Sequence, residues 1–167
     1  MIRSGRLAAS AAFVVFAQAA STPDLWLGRW TMDPAKSRVG AIFGPGVPDG
    51  LTLTSQSITI ENVSGQIRIT GDTVLSDGRS AHDVVEASLD GKPVSMAPGV
   101  TASFTRIGDL TFEVLVKMRN QDGGDQIGVN RFVVSPDGKT LTETKVHTQT
   151  GAIDRSSTSV LVFTRDR

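Results

Sequence analysis

From Leu51 onward the chain alternates apolar and polar residues in short runs, each closed by a turn. The runs read "LTLTSQSITI", "QIRIT", "HDVVEAS", "VTASFTRI", "LTFEVLVKM", "QIGVNRFVV", "TLTETKVHT" and "RSSTSVLVFTR". They are rich in Thr, Val and Ile, which suit a pleated and half-buried surface. Between them lie turn-forming segments such as "ENVSGQ", "SDGRS", "LDGKP" and "SPDGKT", with Asp-Gly at 77–78, 90–91, 122–123 and 137–138. Such pairs accept positive φ at little cost, as tight hairpins require. Helical periodicity is absent beyond residue 19, except that Pro34–Ser37, preceded by Asp33 as a cap, reads as one helical turn. With "GRWTM" near the start, the pattern predicts about nine or ten strands in an antiparallel meander. So many strands must hide their edges, by closing into a barrel or by folding into two sheets; the alternation is the same in both.

Alternation also sorts side chains into faces. Phe112, Val114, Val116 and Met118 share a side opposite Thr111, Glu113, Leu115 and Lys117, and form the natural inward set. In "QIGVNRFVV", Ile127, Val129, Arg131 and Val133 oppose Gln126, Gly128, Asn130 and Phe132. Either choice buries a polar group, which is costly without partners unless a ligand or water meets it. An outward Arg131 is the simpler reading, and an inward one makes it a candidate ligand contact. The one long connection, "GAIFGPGVPDG" from Gly40 to Gly50, carries Ile42, Phe43 and Val47 among glycines and prolines. An apolar loop of this kind packs down as a plug or covers an opening as a lid.

Residues 1–19 fall outside the meander. Arg3 and Arg6 precede an apolar run from Leu7 to Phe16, then Ala17-Gln18-Ala19. That is the layout of a secretory signal, which leaves 20–167 as one domain with no membrane span after cleavage. The expected location is secreted or periplasmic. The chain has no cysteine, so disulfides, thiol catalysis and thiolate metal sites are excluded. Without the leader, 15 basic residues face 17 acidic ones, and this near-neutral mixture carries no footprint for nucleic acid.

"GRWTMDPAKSRV", the long loop after it and the terminal "VLVFTRDR" together resemble the lipocalins and the wider calycin barrels. "VSPDGKTLT" and Gly91-Lys92-Pro93-Val94 bring the chain closer to small secreted bacterial lipocalin-like proteins. The resemblance implies an up-and-down β-barrel of about 8–10 strands, with Gly28 and Trp30 at one end and Arg165 against the indole. It implies a fold and no particular reaction. The absence of tyrosine departs from the aromatic cups of many ligand-binding lipocalins.

Candidate chemistry is sparse. His82 and Glu86 share one strand face, and Glu143, Lys145 and His147 another. Either set suits proton transfer or a metal, but Lys145 beside His147 opposes a cation, and solvated strand faces are the simpler reading. No nucleophile elbow, phosphate loop or dinucleotide fingerprint occurs, so no catalytic residue, metal or cofactor is assigned. The expected function is a monomeric, exported barrel that holds a small, largely apolar molecule. Ile42, Phe43, Val47, Phe112, Val114, Val116, Met118 and Arg131 are its candidate contacts. The alternatives are an enzyme using His/Glu acid–base chemistry on the same barrel, and a packed barrel with no ligand.

Overall fold

The computed structural model describes residues 24–42, 50–119, 123–151 and 154–166. The leader, Phe43 and Val47 lie outside the described residues. Ten antiparallel strands form one sheet: β1 (Gly28–Met32), β2 (Leu53–Val63), β3 (Gln66–Leu75), β4 (Ser80–Ala87), β5 (Val94–Ala97), β6 (Val100–Gly108), β7 (Thr111–Arg119), β8 (Asp125–Val134), β9 (Thr140–Gln149) and β10 (Arg155–Arg165). Their spatial order is β4-β3-β2-β1-β10-β9-β8-β7-β6-β5. Every neighbour is also a neighbour in sequence except β1 and β10, whose pairing wraps the meander into a barrel. The seam falls between β4 and β5, where β4 packs against β6 without a ladder. The fold is thus a nearly closed up-and-down barrel, and the two-sheet alternative is excluded.

Turn chemistry acts where expected. Gly78, Gly91, Gly123 and Gly138 all take positive φ, between 67° and 84°. Residues 34–37 differ from the helical reading: they form a hydrogen-bonded turn in which Asp33 accepts from the Ala35 and Lys36 amides. The chain must then cross to β10, where Arg38 exchanges backbone bonds with Val160, so no second helical turn follows.

The core gathers at one end. Trp26, Trp30, Phe104, Phe112, Leu141, Leu161 and Phe163 are each at most 1 % exposed. Phe112 stacks on Phe132 at 4.7 Å and meets the edge of Trp26 at 5.3 Å. Burial on this scale stabilises by about 1.5–3 kcal/mol per large apolar side chain. Arg165 seals the end: its guanidinium lies 4.3 Å from the Trp30 ring centroid and donates to the carbonyls of Leu25, Leu27 and Gly138. Gly28 makes room for it. With φ of 135°, a Cβ there would stand 2.7 Å from Arg165 Nη1. The Gly-x-Trp spacing is therefore a packing requirement: a residue without a side chain, then an inward indole, beneath one guanidinium. A second arginine–indole pair sits beside the first, with Arg106 4.5 Å from the Trp26 centroid and tied to Asp24 at 2.7 Å. The sequence reading did not find this pair, because Trp26 precedes the first strand and Arg106 has no motif around it.

Candidate functional site

At the opposite, open end the interior becomes polar. Strand β9 explains why. Leu141 and Glu143 are buried, and alternation carries Lys145 and His147 along the same inward face, while Thr140, Thr142 and Thr144 point out. The simpler reading of Glu143, Lys145 and His147 as a solvated face is thereby corrected: the apolar anchor Leu141 commits the whole even-spaced set to the inside. Glu143 is only 3 % exposed. His82 and Glu86 lie on the outer surface, His82 with Asp72 at 2.7 Å and Glu86 with Arg68 at 2.7 Å. The two candidate sets are therefore separated by the sheet.

Three adjoining cavities occupy this region. One of about 150 Å³ is walled by Ile58, Ile69, Val85, Val114, Val116 and Phe132 on its apolar side, and by Gln56, Asp83, Asn130, Glu143 and Lys145 on its polar side. A second, about 140 Å³, lies beneath Val39, Ala41 and Ile42, between Asp83, Lys145, His147, Ser157 and Ser159. The third, about 200 Å³, runs past Val100, Val116, Met118, Gln126, Asn130 and His147. Lys145 spans the first two, donating to Gln56 Oε1 across the interior at 3.3 Å and standing 3.4 Å from Glu143 Oε2. A larger groove of about 430 Å³ follows β2–β4 around Asp72, Val74 and His82. Those three are exposed, and no buried polar group faces the groove, so the interior cavities are the better site.

The electrostatics follow from this burial. Loss of water pushes the Glu143 carboxyl above its ordinary 4.5, opposed by the neighbouring Lys145 ammonium. Burial, and then Lys145, holds His147 below 6.5, so the imidazole is neutral at neutral pH. Gly128 pairs with His147, and a Cβ there would stand 3.1 Å from its ring. Buried Asn130 Oδ1 and Glu143 Oε2 accept no hydrogen bond from the protein. Among the described residues, no three His, Asp or Glu side chains converge as metal ligands.

Of the expected contacts, Val114, Val116 and Met118 line these cavities, and Ile42 closes over one of them. Phe112 is fully buried in the core below. Arg131 stands on the outer face, where it pairs with Glu113 at 2.8 Å. Phe132 and Val134 on the opposite face of β8 are the buried ones, and they turn Asn130 inward and Arg131 outward. Asn130 was one of the two polar alternatives that the sequence offered on β8; Gln56 and Asp83 carry no motif, and each lies on a strand that is polar on both faces near the open end.

No protein-family model and no curated protein matches the chain. Solved structures similar to it include the redesigned β-barrel mFAP1 bound to DFHBI, 13% identical over 85% of this chain and 96% of that one, with a TM-score of 0.44. Rv2717c from M. tuberculosis is 14% identical over 87% and 99%, TM-score 0.44. The S-type phycobiliprotein lyase CPES from Guillardia theta is 8% identical over 86% and 90%, TM-score 0.46. At these values the likeness is one of outline, and the site is argued from this chain's own residues.

Proposed function

We propose that the protein is an exported, lipocalin-like barrel that binds a small molecule in the open half of its interior. The observation that carries this reading is the polar set Gln56, Asn130, Glu143 and Lys145, enclosed by the sheet and facing an apolar wall across a cavity of about 150 Å³. Buried carboxylates and ammonium groups destabilise a fold unless geometry compensates them, so a packed structural barrel gains nothing from them. A binding site does: ligand pockets pair a mainly apolar lining with a few convergent polar groups. The ligand is accordingly amphiphilic, with an apolar body against Val114 and Val116 and a polar end toward β9.

Export rests on the leader of residues 1–19, and the mature chain is expected to begin at Ala20 or within a residue or two of it. An intact mass retaining Leu7 to Phe16 would remove that part of the proposal. Native mass spectrometry of protein purified from its own host tests binding directly, by showing whether a small molecule travels with the barrel. Entry is proposed at this end because the described start of the long loop, with Ala41 and Ile42, lines the second cavity. Gly40 donates to Ser159 Oγ at 2.9 Å, and Ile42 donates to the Leu51 carbonyl while packing against the core. Bound ligand is expected to slow hydrogen exchange across residues 40–50. Unchanged exchange with every ligand that binds would place entry elsewhere.

A further inference from the structure

The chemical class of the ligand follows from which groups in the cavity lack partners and from the charge around them; this inference rests on the binding reading above. Glu143 Oε2 and Asn130 Oδ1 line the same cavity, are shut off from solvent, and accept no hydrogen bond from the protein. Both are acceptors. Lys145, the nearest cation, gives its hydrogen bond to Gln56 and forms an ion pair with Glu143 Oε2 at 3.4 Å. Any molecule that displaces solvent here must supply a donor of its own, or leave the Asn130 oxygen without a partner and the carboxylate held by its ion pair alone.

Charge narrows the class further. The walls already hold Lys145 paired with Glu143 at 3.4 Å, with the exposed Asp83 at the rim. A charged ligand of either sign would have to break that pair or face its like-charged member, whereas a neutral donor leaves it intact. The volume sets the size, since a cavity of about 150 Å³ has room for a single benzene-sized ring. The opposite wall, Ile69, Val85, Val114 and Val116, offers only hydrocarbon to such a ring. We infer that the cavity takes a neutral, single-ring molecule bearing an O–H or N–H group, of the phenol or aniline class, which donates to Glu143 or Asn130.

The test compares matched probes on the full mature chain: p-cresol, toluene, benzoate and benzylammonium, titrated by NMR chemical shift with the amides of residues 114–116, 130 and 143 as reporters. The expected result is p-cresol binding at these residues roughly tenfold or more tighter than toluene, the range for one hydrogen bond to a charged group. Benzoate and benzylammonium should bind more weakly than p-cresol. Replacing the buried pair together, Glu143→Met with Lys145→Met, leaves no orphaned charge and should bring p-cresol and toluene to within about twofold of each other. Asn130→Leu, which leaves that pair intact, should reduce the same preference by itself. Toluene binding as tightly as p-cresol in the wild type would overturn the donor assignment while leaving small-molecule binding in place. So would benzoate binding most tightly. Absence of binding by every probe, together with a host-purified protein that carries nothing, would remove the binding reading itself.

Discussion

The two ends of this barrel are built from the same strands under opposite physical rules. At the closed end, large side chains fill the interior and two arginines lie over two buried indoles, Arg165 on Trp30 and Arg106 on Trp26. The Trp30 N–H reaches the Trp26 carbonyl at 2.9 Å, and the Arg165 donors reach three further carbonyls. At the open end, inward residues are Gln56, Asn130, Glu143, Lys145 and His147, with cavities between them. The contrast lies along single strands: β9 passes from Leu141 to His147 and β10 from Phe163 to Ser157 within three inward positions. Packing is complete at one end and left incomplete, around polar groups, at the other.

Substitutions at the two ends should therefore differ most in unfolding free energy. Trp30→Ala empties the closed end and should cost about 3–5 kcal/mol in urea denaturation, whereas Ser157→Ala at the open end should stay within roughly 0.5 kcal/mol. Equal losses would break the comparison. Gly28→Ala comes next. It forces a side chain into positive φ and against a guanidinium held by three carbonyls, so roughly 1–3 kcal/mol should be lost. A loss near zero would show that Arg165 moves aside freely.

The pH dependence sharpens the comparison from the open end. Glu143, raised above 4.5 in the fold, contributes its full stability below 4.5 and loses it as pH rises through the folded value. His147, depressed below 6.5, contributes fully above 6.5 and loses it as pH falls. The two slopes oppose each other. Glu143→Gln should thus gain stability relative to wild type as pH is raised from about 4.5 toward 8, and His147→Gln should gain as pH is lowered below about 6.5. Urea midpoints across this range are the measurement, and a difference from wild type that does not change with pH would mean that the group is solvated. The smallest effect belongs to the outside. Arg131→Ala removes an exposed ion pair with Glu113 and should change stability by less than about 1 kcal/mol and probe binding not at all.

How far the site could be read from sequence differs strand by strand. On β7, every second residue from Phe112 to Met118 is apolar, so one face had to go inside, and it does. On β8 the two faces each mix polar and apolar residues, and only the burial of Phe132 and Val134 settles that Asn130 points in and Arg131 out. On β9 the inward face carries a carboxylate, an ammonium and an imidazole, while the outward face is mostly threonine; polarity alone assigns such a strand backwards. Its one legible signal is Leu141, a lone apolar residue in register with the charged set. Trp26 lies outside any strand, and nothing local tells that it will meet Arg106 some eighty residues later.

By itself, the sequence determined the strands, their turns and their meander. Those depend on alternation and on Asp-Gly pairs that take positive φ, which are properties of neighbouring residues. Its resemblance to calycin barrels also marked Gly28, Trp30 and Arg165 as a set. The tertiary structure alone decided that β1 pairs with β10 and that the seam falls between β4 and β5. It also decided that Glu143, Lys145, Asn130 and Gln56 share one enclosed space. The physical reason is that a strand's alternation fixes which residues share a face but not which face is buried. That choice is made by the sum of packing around the whole barrel, where the apolar floor at the closed end holds each strand in register and carries its polar upper residues inside with it.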